Sequence, residues 1–343
     1  MTMTTELNLP EIEAWMQRNV GEFTGPIRIQ RFSGGQSNPT FRVSAAGKEY
    51  VLRSKPMGEL PRGAHRIDRE YRVLQALQHS NVPVPKIHAY CEDPAVIGAE
   101  FYIMDFVAGR IFWDQLMPNT TGEDRRRNFD SMNATIAALH SIEPRSVGLE
   151  AFGHSGNYLL RQISRFTEQY HSSRGERIME LEQLIDWLPR NLPPEHLPRI
   201  IHGDFKVDNL VFDSAEPRVV AVLDWELSTI GDPLADFSYH AMAWYLEPDL
   251  FRGFAGAVKS TPGIPELSDY VAAYERRTTP IPSEHWRFYV VFSMFRLAAI
   301  LYGIAQRVGA GTAADADAAR VGKQAAPVAA RAWHLASIGG SLL

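Results

Sequence analysis

The sequence predicts an α+β chain of two parts: a small first lobe built on an antiparallel sheet and a larger second lobe that is mainly helical. Three observations predict it. Short period-two runs separated by turn clusters crowd the early chain, as in Ile27-Arg28-Ile29-Gln30-Arg31-Phe32 and Glu49-Tyr50-Val51-Leu52-Arg53. Segments with helical periodicity fill most of the remainder. Between them in character are two apolar runs that each end in an acidic loop, His202-Gly203-Asp204-Phe205-Lys206-Val207-Asp208-Asn209 and Leu223-Asp224-Trp225-Glu226.

Composition bounds the reading. With 343 residues, 45% apolar and 22% charged, the chain is long enough for two cores and is not disordered in character. A net charge of −5, with acids and bases interleaved, leaves no basic footprint, so no nucleic-acid partner is expected. The start, Met1 to Asn8, has no basic segment followed by an apolar run, and Cys91 is the single cysteine; both fit a cytoplasmic location. The most apolar stretch, Phe288 to Ile304, is interrupted by Ser293 and Arg296 and falls short of the roughly 20 apolar residues of a membrane span. A buried helix and no membrane partner are expected there; the oligomeric state stays open.

In chain order, Pro10 to Val20 forms a short amphipathic helix with Ile12, Trp15, Met16 and Val20 inward. Strands follow at 27–32, 40–43 and 49–53. The first two are joined by the turn cluster Ser33-Gly34-Gly35-Gln36-Ser37-Asn38-Pro39. Gly34 and Gly35 permit close backbone approach, and Ser37 and Asn38 offer short donors, so this turn can lay N–H groups over a triphosphate; on its own it reads as a plain hairpin turn, and its place ahead of the other motifs reverses that preference. A helix from Ala64 to Gln78 carries the stripe Ile67, Tyr71, Leu74 and Leu77. Strands at 87–90 and 100–107 complete the first lobe, giving expected domains of 1–107 and 108–343.

The second lobe begins with a helix over 123–140, capped at Thr120/Thr121, with Phe129, Met132, Ile136 and Leu139 inward. Two more helices fall within 158–190. Their stripe Tyr158, Gln162, Phe166 and Tyr170 either packs in the lobe or faces an acceptor. Asp232 caps a helix that has Pro233 at its first position. An alanine-rich helix from Ala313 to Ile338 ends the lobe or meets another subunit.

The chemistry concentrates in the two acidic loops. Asn209 follows Asp204 by the interval that kinase catalytic loops use, which places a carboxylate at an acceptor hydroxyl and an amide oxygen at a metal. Asp224 ends the strand-like run 218–223 and can point at the same metal. Phosphoryl transfer needs an orienting base, charge neutralisation and in-line geometry, and these residues supply the first and much of the second. The alternative is a structural turn in which Asp and Asn side chains satisfy buried backbone groups.

His-Gly-Asp-x-x-x-x-Asn at 202–209, Leu-Asp-Trp-Glu at 223–226 and Ile-Gly-Asp-Pro-Leu-Ala-Asp at 230–236 together resemble the aminoglycoside phosphotransferase-like family. The resemblance is closest to its branch fused to acyl-CoA dehydrogenases, and it runs from near residue 33 past residue 284. It implies a bilobal protein-kinase-like fold, a nucleotide-binding first lobe, ATP and Mg²⁺, and transfer to the hydroxyl of a small molecule. It implies Arg53 as the third-strand cation at the phosphates, with Lys55 second because the family carries lysine, and Glu70 as its ion-pair partner. Adenine is expected at the lobe linker, on the Asp105 carbonyl and the Val107 N–H with Met104 behind. The resemblance further implies Asp204 as base, Lys206 at the γ-phosphate, Asn209 and Asp224 as metal ligands, and Asp236 as a brace of the catalytic loop.

The short interval between Asp224 and Gly231 fits a small-molecule kinase without a regulated activation segment. Past residue 240 basic residues outweigh acidic ones, against a polycationic acceptor. The fused branch suggests a hydroxyacyl-CoA. An antibiotic kinase and a nucleotide-binding pseudokinase are the alternatives, the latter disfavoured because base and both metal ligands are present. No Gly-x-Ser-x-Gly elbow, Walker A sequence or His-Glu-x-x-His pair supports another enzyme class.

Overall fold

Five antiparallel strands form the sheet expected in the first part of the chain: β1 (Ile27–Arg31), β2 (Thr40–Ala45), β3 (Lys48–Ser54), β4 (Ile87–Cys91) and β5 (Phe101–Asp105), ordered β1-β2-β3-β5-β4. The computed structural model describes residues 7–32, 38–57, 65–154, 156–173, 175–309, 318–339 and 341–343. It divides into two compact units, Met1–Gly109 with Val220–Glu226, and Arg110–Val219 with Leu227–Leu343. The expected break fell after residue 107, and the expected second domain had included the Asp224 segment, which here belongs to the first unit.

In the first unit, strand alternation decides which residues are core and which are site. Val43, Tyr50, Leu52, Phe101 and Ile103 share one buried cluster with Ile12, Trp15 and Met16 of helix α1 (Leu9–Asn19). Trp15 meets Phe101 edge-on with ring centres 4.7 Å apart. Each such side chain contributes about 1.5–3 kcal/mol by leaving water, which fixes the register of the sheet. Arg53 and its cross-strand neighbour Tyr102 therefore project from the opposite face, since Arg53 follows Leu52 and Tyr102 precedes Ile103. Helix α2 (Ile67–Leu77) buries Ile67, Glu70, Val73, Leu74 and Leu77. The expected stripe contained Tyr71; that ring is only half-buried and stacks on Tyr90 at 5.0 Å, and the inward place belongs to the carboxylate of Glu70.

The second unit is mainly helical. Helix α3 (Gly122–Ser141) starts where Thr121 Oγ1 accepts from the Asp124 N–H at 3.0 Å, a cap of about 1 kcal/mol, and it buries Phe129, Met132, Ile136 and Leu139 as expected. Helices α4 (Tyr158–Ser172) and α5 (Met179–Arg190) follow. Strand β6 (Arg199–Ile201) leads into the catalytic loop, β7 (Leu210–Phe212) follows, and β9 (Thr229–Gly231) pairs antiparallel with β6; between β7 and β9, β8 (Val219–Val222) takes the chain into the segment that belongs to the first unit. The remaining helices are α6 (Pro233–Ala241), α7 (Leu267–Arg277), α8 (Ser283–Gly309), α9 (Ala318–Gly322) and α10 (Ala325–Ser337).

Helix α8 is apolar on nearly all sides because α4, α5, α6, α9 and α10 pack around it. Among the described residues it is the one helix long and apolar enough to cross a membrane, and 83% of its most apolar window is buried within the structure. The single helix expected over Ala313–Ile338 is instead two: α9 ends at Gly322, which lies so close to Ala305 that a Cβ would sit 2.8 Å from its backbone, and α10 starts afresh at Ala325. The start expected at Ala313 lies outside the described residues.

Candidate active site

The catalytic loop in the second unit is built from its backbone outward. Ile200 and Ile201 anchor β6 in the core, and Phe205 and Val207 tuck inward, so the polar residues between them have fixed directions. Gly203 adopts φ +83°, and a Cβ there would come within 2.7 Å of the Leu227 carbonyl oxygen, so only glycine suits the position. The Asp236 carboxylate, from the first turn of α6, accepts the N–H groups of His202 and Gly203, each at 2.8 Å. His140 Nε2 stands 3.2 Å from the same carboxylate. Burial works to raise the Asp236 carboxyl, but the His140 hydrogen bond and the nearby imidazoles outweigh it and hold the carboxyl below its usual range.

On this frame Asp204, Lys206 and Asn209 converge. Asn209 Nδ2 donates to the Asp204 carbonyl at 2.9 Å and to its Oδ2 at 3.0 Å. With the NH₂ end so engaged, the amide oxygen is the end left for a cation. Lys206 Nζ lies 2.7 Å from Asp204 Oδ2 and 3.9 Å from Asp208 Oδ2, and Arg252 ion-pairs with Asp208. Tyr239 lies beneath; burial first, then the Asp204 charge, push its hydroxyl well up. In α4 the stripe divides: Phe166 and Tyr170 pack in the interior, while Tyr158 lines a cavity of about 190 Å³ with Leu160, Leu192, His196 and Asp232.

The first unit holds the other half of the predicted residues. Glu70 is 1% exposed, and its carboxylate collects four donor contacts: Arg53 Nε at 2.7 Å and Nη2 at 3.3 Å, Asn38 Nδ2 at 2.7 Å and the Tyr102 hydroxyl at 3.0 Å. Arg53 also reaches Asp224 Oδ1 at 2.7 Å. Burial opposes the Arg53 charge, but Glu70, Tyr102 and Asp224 overcome it and hold the guanidinium cationic. Asp224 itself stands at φ +63°, a left-handed backbone uncommon outside glycine, asparagine and aspartate, which costs of order 1–3 kcal/mol.

The placements refine the sequence reading and in one case depart from it. Lys55 pairs with Glu100 at 2.5 Å, so of the two candidate cations Arg53 is the one on Glu70. Asn38, expected at the phosphates, is buried with its amide on Glu70 and its Oδ1 3.1 Å from His65 Nδ1. Gly34, Gly35 and Ser37 lie outside the described residues. Met104 is buried in β5; Asp105, at the strand end, meets His88 Nε2 at 2.6 Å, and Val107 follows half-buried. Tyr102 and His140 were missed, because a tyrosine in an apolar strand and a histidine ending a core helix carry no local signal of their distant partners.

Among the described residues no group of three or more His, Cys, Asp or Glu side chains is placed to hold a metal by protein atoms alone. Asp224 in the first unit and the Asn209 amide oxygen in the second are each a hard oxygen donor of the kind Mg²⁺ takes.

The chain matches the model of the phosphotransferase enzyme family over residues 28–280. It is 40% identical over 316 residues to acyl-CoA dehydrogenase family member 10 of Mus musculus, covering 92% of this chain and 30% of that protein. It is 37% identical over 312 residues to the human family member 11, covering 89% of this chain and 40% of that one. The chain thus spans well under half the length of these relatives. A crystal structure from Ralstonia eutropha, provisionally assigned as an aminoglycoside phosphotransferase, is 46% identical and superposes with a TM-score of 0.89 over 96% of this chain and 98% of that one. An aminoglycoside phosphotransferase in ternary complex with AMP-PNP and hygromycin B shares the fold, with a TM-score of 0.59 over 94% of this chain and 98% of that one at 15% identity.

Proposed function

This chain belongs to the phosphotransferase enzyme family, and we propose that it is an ATP- and Mg²⁺-dependent kinase that moves the γ-phosphate of ATP to a hydroxyl of a small molecule. The observation that supports this most is the catalytic loop: Asp204 is clamped by Asn209 and Lys206 on a backbone that Asp236 holds from beneath.

In this reading Asp204 accepts the acceptor's hydroxyl proton and orients its oxygen for in-line attack. Lys206, already within ion-pair reach of Asp204, balances charge on the transferred group. Asn209 of the second unit and Asp224 of the first are each assigned as a Mg²⁺ ligand, and the ion would screen the triphosphate charge. Arg53, kept cationic and fixed by Glu70, contacts the phosphates as a planar fork rather than as a point charge. Met104, Asp105 and Val107 are assigned to adenine, and the glycine-turn residues Gly34, Gly35 and Ser37 to the phosphates; Asn38 serves Glu70 instead.

For the acceptor we favour a hydroxyacyl-CoA, on the likeness to acyl-CoA dehydrogenase family members and on the basic balance of the late chain. The Ralstonia protein's assignment supports an aminoglycoside instead. A panel containing both, assayed for Mg²⁺-dependent ADP release, tests the reading. Acceptor-dependent release that disappears in Asp204→Asn is expected, and a normal rate from Asp204→Asn would show that the base has been misassigned.

A further inference from the structure

Arg296 is a cation in the most apolar helix of the chain, and the proposed chemistry has no use for it as it stands. It is 6% exposed, and among the described residues no carboxylate forms an ion pair with it. A buried charge without a counter-ion is costly, so its retention calls for a specific partner. That partner is the catalytic loop: Arg296 Nη2 donates to the carbonyl oxygen of Gly203, the residue immediately before Asp204. The guanidinium is completed by aromatic faces, centred 4.5 Å from the Tyr239 ring and 5.8 Å from Phe166, while its Nε has no hydrogen-bond partner.

Gly203 is therefore gripped at both ends. Its N–H goes to Asp236 at 2.8 Å, its carbonyl goes to Arg296, and its φ of +83° has no room to relax against Leu227. The peptide that joins Gly203 to Asp204 sets the direction in which the Asp204 side chain leaves the backbone. Without the Arg296 donor this peptide keeps only its Asp204 N–H contact to His202 Nδ1 at 3.2 Å and loses the restraint on its carbonyl, so it can tilt, and the carboxylate turns with it. The Asn209 contacts to Asp204 would loosen in the same motion.

We infer that Arg296 is a positioning residue for Asp204, acting through the Gly203 carbonyl. The inference rests on the kinase reading for its effect on turnover, but its effect on the loop stands independently. A misplacement of about 1 Å at a reacting group can cost on the order of 100-fold in rate, so Arg296→Gln is expected to lower kcat by roughly that factor. Mg²⁺-ATP affinity should stay within about threefold of the parent, since the loss falls on orientation rather than on binding.

The deciding measurement is peptide-resolved hydrogen exchange of Arg296→Gln, Arg296→Lys and the parent, followed over residues 202–209 and over α6 and α8, with kcat and ATP affinity determined alongside. Faster exchange confined to 202–209 in Arg296→Gln, with partial recovery in Arg296→Lys, which keeps a donor but loses the planar stack, is expected. Unchanged exchange over 202–209 overturns the inference. So does faster exchange spread equally through α6 and α8, which would make Arg296 a packing residue only. If the parent itself turns over no acceptor, the kinase reading fails while the exchange result still decides the role of Arg296.

Discussion

Glu70→Gln tests the first unit most sharply, because the change is nearly isosteric and removes one charge from a saturated carboxylate. The parent oxygens face Arg53 at 2.7 and 3.3 Å, Asn38 at 2.7 Å and Tyr102 at 3.0 Å, all of them donors. A glutamine must turn its own NH₂ toward one of them, so at least one donor-to-donor contact replaces a charge-assisted hydrogen bond. Breaking one side of a buried ion pair costs about 3–5 kcal/mol. Arg53 keeps Asp224 at 2.7 Å, so the lower end, about 3 kcal/mol, applies. With a urea slope of about 2 kcal/mol/M, the midpoint of the transition that includes the sheet should fall by roughly 1.5 M. Arg53 is then left to Asp224 alone and competes with the metal for it, so Mg²⁺-ATP affinity should drop by about tenfold or more. Replacing both partners, Arg53→Met with Glu70→Met, should recover much of the stability but none of the nucleotide affinity. A Glu70→Gln protein with parental midpoint and parental affinity would refute this account of the pair.

Other outcomes follow from the second unit. Asp204→Asn should lower kcat by about 100- to 10,000-fold while calorimetric ATP affinity stays within about threefold, because the group serves the nucleophile and not the nucleotide. Asn209→Ala should raise the Mg²⁺ concentration needed for half-maximal ADP release, as seen in a Mg²⁺ titration at fixed ATP. His240, buried 2.8 Å from the Tyr270 hydroxyl, is pushed down by desolvation from 6.5 to about 4. The unfolded chain therefore takes up a proton as pH falls below 6.5, and the native chain does so only near 4. Stability is lost across that window by up to about 3 kcal/mol. Urea midpoints at pH 7 and 4.5 should show a smaller acid loss in His240→Gln than in the parent, and equal losses would contradict the assignment.

The parts legible in the sequence are those whose signal is local. Strand alternation marked β1 and β3, and the Thr121 and Asp232 caps marked the starts of α3 and α6. The Asp204 to Asn209 interval was readable because both residues act from one tight turn. Illegible were the roles set by partners far along the chain. Arg296 looked like an interruption of an apolar helix, yet its hydrogen bond reaches a residue 93 positions away. Asn38 looked like a phosphate donor because it ends a glycine turn, but its amide is on Glu70, 32 positions on. Helical periodicity ranks Tyr71 above a glutamate for the core. The sheet supplies Arg53 as a counter-ion, and that reverses the ranking. The break between α9 and α10 follows from close approach of Gly322 to α8, which no pattern within 313–338 encodes.

The central claim is transfer of a phosphoryl group to a hydroxyl, and the most direct measurement follows the label. γ-³²P-ATP, Mg²⁺ and a hydroxyacyl-CoA are incubated with the parent chain and with Asp204→Asn, and the acceptor is isolated and counted. Label on the acceptor hydroxyl with the parent, and none above background with Asp204→Asn, is the predicted result. Label released only as inorganic phosphate, or transferred equally by both proteins, would contradict it.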